Sequence, residues 1–235
     1  MTISVIIPTL NEARIIADTL SHTTGLGFDE VIVVDGGSTD QTPTVVDSVV
    51  SATRHSAHST ARLLAVPRGR ARQMNAGAQA SLGDILIFLH ADTLLPLTAK
   101  QEIEAALTDN ATVGGRFDVQ FDRPSMVGQI ISTLMNWRSR WSGIATGDHA
   151  IFVKRRTFDQ LGGFADIPLM EDIDFCRRLK RLGKMAMLPD HVVTSFRRWD
   201  AHGPIKTIVL MWALRFLYWI GVSPHRLAHY YTAVR

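Results

Sequence analysis

Three carboxylates each close an apolar run: Glu12 comes just after Ile3–Pro8, Asp35 ends the run Glu30–Asp35, and Asp92 follows the run 84–89. In an open parallel α/β sheet, ligands bind at the carboxyl ends of the strands. The three acids therefore fall on one rim. Asp35 follows four apolar residues and precedes Gly36 and Gly37, a position suited to holding a ligand. Asp92, in His90-Ala91-Asp92, can hold a hard divalent cation, Mn²⁺ or Mg²⁺. Such ions commonly take only one or two protein carboxylates and leave their other positions to diphosphate oxygens. From spacing alone, Asp92 reads equally as a solvated strand-end acid, and Asn11 and Ser38 read equally as helix caps.

A second acidic cluster, Glu171-Asp172-Ile173-Asp174, follows Gly162-Gly163-Phe164 and opens a helical pattern. A helix N-terminus favours carboxylates through its dipole. It also lowers their pKa and fixes their position, which suits an ionised general base. Three acids in four positions exceed what capping needs. Two basic groups complete the inventory. Arg197-Arg198-Trp199 offers guanidinium forks for phosphate and an indole for a sugar face, or else surface cations over a core Trp. Arg68, Arg70 and Arg72 open a helix whose N-terminus can itself bind an anion, and Arg70 reads equally as part of a solvated face.

The elements that must position these residues follow from periodicity. Short all-apolar strands at Ile3–Pro8, Glu30–Asp35, 62–66 and 84–89 alternate with helices at 11–23, after Ser38-Thr39-Asp40, at 68–81 and after Pro96. That rhythm predicts α/β architecture, a mostly parallel sheet with helices on both faces. Beyond residue 112 the rhythm changes. Gly115–Phe121 alternates like a half-exposed strand, and Val127, Ile130, Ile131, Leu134, Trp137 and Trp141 recur at helical spacing. A strand at 150–153, a helix at 172–182 and two short strands at 184–188 and 191–196 follow, then the almost wholly apolar stretch 205–222. We expect one domain over residues 1–203 and an apolar C-terminal helix and tail over 204–235.

Composition bounds the rest. The chain has 235 residues, 46% of them hydrophobic and 20% charged, which excludes disordered, collagenous and coiled-coil classes. One cysteine excludes an intrachain disulfide and a Cys-rich zinc site. The N-terminus reads as strand rather than leader, so a cytoplasmic protein is expected, with the inner face of the cell membrane as its place if the C-terminal helix meets lipid. The first 120 residues carry 8 Lys and Arg against 13 Asp and Glu, whereas the rest carry 17 against 9. The basic half calls for an anionic partner. No nucleic-acid-binding signature is present, so nucleic acid ranks last. Neither G-x-G-x-x-G nor a Walker A lysine follows the first strand, which argues against dehydrogenases and P-loop NTPases.

Taken in order and spacing, VIIPTLNE, VVDGGSTDQT, DILIFLHADT, the GGF segment and LMEDIDF resemble the family 2 glycosyltransferases, from Ile3 to about Trp199. The nearest likeness is to a small subgroup with HADT in place of D-x-D. The resemblance implies the GT-A fold and an inverting, metal-dependent transfer from a nucleotide-diphosphate sugar to a hydroxyl acceptor. Under it, Pro8 and Glu12 line the nucleoside site, Asp35 accepts from the base, commonly a uracil imide, and Asp92 binds the metal. Asp172 is the catalytic base beside Glu171, Arg72 reaches the nucleotide, and Arg198 and Trp199 end a Q-x-x-R-W-like element. His90 stands where D-x-D has its first Asp, and the missing Gln before Arg197 argues against a processive synthase.

Two other classes stay in view. A sugar-phosphate nucleotidyltransferase would need a Gly-rich basic loop after strand one, which PTLNEA does not supply. A non-catalytic nucleotide-sugar-binding protein would have no need of both Asp92 and Glu171-Asp172. The segment 205–223 is about long enough to cross a bilayer. Arg215 near its middle makes crossing costly. Lys206 and Arg215 lie nine positions apart, about 180° around a helix, so no single polar face results. The expectation is a helix docked on a membrane surface, bringing a lipid-linked acceptor within reach, with a core or homodimer helix as the alternative.

Overall fold

The structure, a computed structural model, describes residues 1–53, 60–123 and 125–232, without the side chains of Arg198, His202 and Thr232. Runs of Val, Ile and Leu bounded by Pro, Gly and Asp form β1 (Ile3–Thr9), β2 (Glu30–Asp35), β3 (Thr60–Ala65) and β4 (Ile85–Phe88). These pair in parallel in the order β3-β2-β1-β4. Thr9 lies opposite Asp35, so the loops after β1 and β2 open on the same rim. Between the strands run α1 (Ile16–Gly25), α2 (Thr42–Thr53) and α3 (Arg70–Ala80); β5 (Thr93–Leu94) and α4 (Ala99–Ala106) follow β4. The first helix starts later than its sequence suggests, because Asn11 takes a left-handed φ of 56° and delays the helical run.

The second half completes an eight-stranded sheet, β3-β2-β1-β4-β7-β6-β8-β5. Its members are β6 (Thr112–Phe121), α5 (Met126–Ser142), β7 (Ile151–Lys154), α6 (Arg155–Leu161), α7 (Glu171–Leu179) and β8 (Lys184–Thr194). The C-terminal helices are α8 (Arg197–His202), α9 (Pro204–Trp219) and α10 (Pro224–Thr232). β7 runs antiparallel between β4 and β6, and β6 runs parallel to β8. Two cores result, one on each sheet face. Val5, Ile7, Val31 and Val33 bury with Leu20 and Ile103 on one side. Ile6, Ile32 and Val34 bury with Met74, Phe158 and Phe175 on the other. On that second face a Cβ on Gly77 would come within 2.5 Å of Ile6, so the glycine lets α3 lie directly on β1.

Two strand expectations are corrected. β6 is interior rather than half-exposed, with only Gln120 open to solvent. Its alternation comes from charged residues buried against each other. Arg116 is fully buried and ion-pairs with Asp118, which also takes Arg140 of α5 at 2.5 Å. The two short strands at 184–188 and 191–196 are one strand, β8, with a register shift opposite Phe117 and Asp118. Asp118→Ala would strand Arg116 in the core without its counter-charge. Breaking a buried pair from one side costs about 3–5 kcal/mol. The expected outcome is a lower urea midpoint at unchanged slope; an unmoved midpoint would show that Arg140 and the local backbone carry the site without Asp118.

Helix α5 inverts the usual amphipathic arrangement. Its inner face carries Ser132, Asn136 and Ser139, and Asn136 bonds both the amide (2.8 Å) and the carbonyl (3.0 Å) of Val119. Of the apolar residues at helical spacing, Ile131 is buried, while Val127, Ile130, Leu134, Trp137 and Trp141 face outward. Helix α9 buries Thr207 and Leu214, and no helix among the described residues is long and apolar enough to cross a membrane.

Candidate active site

The loops after β1 and β2 are stitched into one rim. The Asn11 amide donates to Ser38 Oγ at 2.8 Å, and Asn11 Oδ1 accepts from the Thr39 amide at 2.8 Å. Asp35 turns its carboxylate onto its own loop, accepting from the amides of Gly37 and Ser38, both at 2.9 Å, and from the Ser38 hydroxyl at 2.5 Å. Below them, Gln73 of α3 donates to the carbonyls of Thr9 and Val34 at 2.8 Å each, tying the two strand ends together.

At the far side of the rim Arg197, the first residue of α8, reaches back across the sheet. Its Nη2 donates to both oxygens of Glu12 at 2.7 Å and lies 3.4 Å from Asp92. The two acids read from the first and fourth strands thus share one cation. The Glu12 side chain is 17% exposed and that of Asp92 22%, so both remain open to a ligand.

The second acidic cluster sits in an adjoining narrow pocket lined by Pro8, His90, Gly147 and Arg70 along with Glu171 and Asp172. Met170 takes a left-handed φ of 70° and turns the chain into α7, so that Glu171 and Asp172 point into the pocket. Asn11, Ala150 and Met170 are the non-glycine residues with positive φ among those described, and all three flank this rim or pocket. Strain of this kind persists only where surrounding structure fixes it, and it clusters at functional sites.

Glu171 is ion-paired with Arg70 Nε, and Arg70 Nη1 lies 3.2 Å from His90 Nε2. His90 Nδ1 in turn lies 3.1 Å from Asp148. Asp172 Oδ2 accepts from the Gly147 amide at 3.0 Å, and Oδ1 from the Ile173 amide at 2.7 Å. Gly147 must be glycine for this contact, because any Cβ there would run into the His90 ring.

Burial pushes Asp172 up to about 6, and the neighbouring Glu171 adds to the rise; Arg70 and the two amides pull it partly back. Arg70 is held firmly charged, chiefly by Glu171. Burial pushes His149, behind the pocket, down to about 3, so it is neutral, with Nδ1 against the Phe117 carbonyl at 2.9 Å. Arg138 of α5 adds a positive charge that acts on both Asp172 and Asp148, and its buried Nε and Nη2 have no hydrogen-bond partner among the described residues. A carboxylate near neutrality, between a fixed cation and two backbone donors, can accept a proton from a hydroxyl. The neighbouring rim presents Glu12, Asp92 and Arg197 side by side, all partly open to solvent.

Residues 4–164 match the family model described as Glycosyl transferase family 2. The chain belongs to that family. A curated relative, the probable glycosyltransferase YdaM of Bacillus subtilis (strain 168), is 26% identical over 197 residues, 77% of this chain and 47% of that protein. The chain thus spans about half the length of that relative. Among solved structures, the mannosyltransferase PcManGT from Pyrobaculum calidifontis, in complex with GDP-Man and Mn²⁺, superposes with a TM-score of 0.66 at 23% identity, over 91% of this chain and 64% of that one. S. aureus TarS 1-349 in complex with UDP-GlcNAc gives 0.63 at 17% identity, over 83% and 58%. Glucosyl-3-phosphoglycerate synthase from Mycobacterium tuberculosis, in complex with phosphoglyceric acid, gives 0.57 at 22%, over 81% and 70%. The GT-A architecture expected from the sequence is the one observed.

Within this family 2 fold, Pro8, Glu171 and Asp172 come together in the pocket, while Glu12 and Asp92 meet through Arg197. Arg72 does not join them; it pairs with Asp166 at 2.9 Å on the solvent side of α3. Arg70, two positions earlier, enters the pocket instead. The signal was present in the sequence: Ala71, Met74 and Ala78 mark the core-facing stripe of α3, and Arg70 stands one turn before Met74. Trp199 packs against Phe121 and Phe196, with ring centroids 5.9 and 6.2 Å away. It supports the base of α8 rather than lying in the pocket. The side chain of Arg198 lies outside the described residues, and its neighbour Arg197 is the arginine seen on the rim.

Proposed function

We propose that this chain is an inverting glycosyltransferase that moves a sugar from a UDP-linked donor to the hydroxyl of a lipid-linked acceptor. The observation that carries the reading is Asp172, a buried carboxylate pushed up to about 6 and aimed into the pocket by two backbone amides. In this reading Asp172 takes the proton from the acceptor hydroxyl as the oxygen attacks the anomeric carbon. The C–O bond to the diphosphate breaks on the opposite side, which inverts the centre. Arg197, on the rim beside Asp92, is the cation that would receive the departing charge.

Asp35 is the residue for the base of the nucleotide. Its Oδ1 accepts only the Ser38 hydroxyl within the loop, and a carboxylate oxygen has two lone pairs, so a uracil imide can add a bond there. TarS has been solved with UDP-GlcNAc, which supports a uridine donor, whereas PcManGT was solved with GDP-Man.

A divalent cation fits the donor set in one way. No group of three or more His, Cys, Asp or Glu side chains stands together among the described residues. Asp92 alone remains, and one or two carboxylates are what a cation bound with a nucleotide diphosphate takes. Asp92 would hold it, and the cation would neutralise charge on the leaving diphosphate.

Product and metal dependence test the proposal. Purified chain incubated with UDP-sugars and a lipid acceptor that carries a free hydroxyl, such as diacylglycerol or a glycolipid, should release UDP; release of pyrophosphate would show a nucleotidyltransferase instead. UDP with Mn²⁺ should raise the melting temperature, since ligand at a hundred times its Kd adds about 2.7 kcal/mol. Excess EDTA or Asp92→Ala should remove most of that shift and depress turnover at least roughly a hundredfold. Full activity in EDTA would leave the diphosphate to the arginines alone.

A further inference from the structure

Four of the five tryptophans of this chain stand on two exposed stripes. On α5, Trp137 and Trp141 are 65% and 82% exposed, and their rings stack at 6.4 Å. They continue the outward line of Val127, Ile130 and Leu134. On α9, Trp212 and Trp219 are 69% and 72% exposed, in line with Ile205, Val209 and Phe216. The two helices share one small core, in which Ile208 of α9 joins Ile131 and Met135 of α5 around Phe121, Phe196 and Trp199. The stripes therefore flank a common seam. Monomers in water rarely leave a patch of this kind bare.

We infer that α5 and α9 together form a docking face for the surface of an anionic lipid bilayer. Charge distinguishes this occupant from a second protein. Helices α5, α9 and α10 contain not one carboxylate; Arg138 turns inward and Arg140 is paired with Asp118, which leaves Lys206, Arg215 and Arg226 as their remaining Lys and Arg. Lys206 and Arg226 are exposed and have no ion pair among the described residues. On neighbouring α8, Asp200 is already paired with Arg123 at 2.8 Å. Tryptophans beside basic side chains suit the boundary between headgroups and acyl chains, where the ring is half buried and the cation meets phosphate. The interior of a protein–protein interface is by contrast depleted of lysine.

The face also has a place in the reaction, and this part rests on the proposed lipid-linked acceptor. The inner side of α9 buries Leu214 against Leu169 and Met170, the residues that lead directly into Glu171 and Asp172. Tyr231 of α10 stands close enough to act on Arg70 in the pocket. One layer of helix thus separates the bilayer from the catalytic carboxylate. An acceptor hydroxyl carried on a lipid headgroup would arrive beside Asp172 without leaving the membrane.

The test is vesicle flotation of the full chain, without donor or acceptor sugar. Vesicles of phosphatidylcholine with phosphatidylglycerol should carry the protein upward at low salt; pure phosphatidylcholine should carry much less, and high salt should release it. Trp137→Glu with Trp141→Glu, and separately Trp212→Glu with Trp219→Glu, should each lower the bound fraction by roughly tenfold or more. All four sites are exposed, so an unchanged melting temperature confirms the fold of each variant. Asp172→Asn should float as the parent does, which separates docking from transfer. No flotation on anionic vesicles, flotation indifferent to both Trp pairs, or a concentration-dependent dimer that the same substitutions dissociate would each overturn the inference.

Discussion

Asp172→Asn should lower sugar transfer by about 10²–10⁴-fold, while nucleotide binding stays within a factor of two or so. The separation follows from where the carboxylate stands. Asp172 lies beside Gly147 and near Arg70, apart from the Glu12–Arg197–Asp92 rim, so in the proposed reaction its charge would serve the acceptor rather than the diphosphate. Asparagine matches its shape and can still accept from one of the two amides. Stability should change little. A carboxyl whose folded pKa lies above its unfolded value stabilises the fold while protonated, and that contribution is lost as pH rises from about 4 through about 6. At neutral pH the parent has already lost it. The Asn variant avoids that cost but forfeits one amide acceptor, and the two effects offset.

The pH profile sharpens the same expectation. Only the ionised form of Asp172 accepts a proton, so kcat/KM of the parent should climb as pH rises through about 6 and then level. The residual rate of the Asn variant should lack that limb. A variant that keeps most of its kcat, or keeps the limb, would move the base to Glu171 or Asp174. Glu171 is the weaker candidate, since its Oε1 is committed to Arg70.

How much of this was legible in the sequence depends on what each residue faces. The first, second and fourth strands were legible because buried apolar runs between turn residues have few other places to go, and the third, a partly exposed edge strand, was legible from its place in the strand–helix alternation. The acidic pair at the start of α7 was legible as a carboxylate cluster opening a helical pattern, but its partners, Arg70 for Glu171 and the Gly147 amide for Asp172, were not. What failed to show was long-range. Nothing in the local pattern says that Arg197 crosses 185 residues of chain to reach Glu12. Arg116 and Asp118 gave β6 the alternation of a half-exposed strand, since periodicity cannot tell a solvated charge from one paired inside the core. On α5 the apolar stripe was visible but its direction was not, because Asn136 on the opposite side finds backbone partners in β6 and Ser132 bonds back to its own helix at Gln129. The choice between Arg70 and Arg72 turned on 200° of helix rotation, which only the α3 core stripe could have decided.

Arg70→Met should shift the whole acid limb of the activity profile to higher pH and lower stability as well. Glu171 is 1% exposed, Arg70 is its ion-pair partner, and its Oε2 has no hydrogen bond among the described residues. Without the guanidinium, Glu171 loses its counter-charge in a nearly dry pocket. Removing one partner of a fully buried pair costs about 3–5 kcal/mol, and because the Arg70 side chain is 38% exposed the cost here should be smaller, about 1–3 kcal/mol. Arg70 also pulls the Asp172 pKa down from where burial and Glu171 would set it. Its loss therefore raises that pKa, and at neutral pH a smaller share of Asp172 is a base. With the midpoint of the limb displaced by about one unit, activity should fall by about twofold at pH 7 and by roughly tenfold near pH 5, and recover as pH is raised. Arg70→Lys, which returns the charge without the planar fork, should restore most of the midpoint and only some of the rate. A uniform loss at every pH, with the limb unmoved, would mean that Arg70 acts on the donor diphosphate and leaves the base alone.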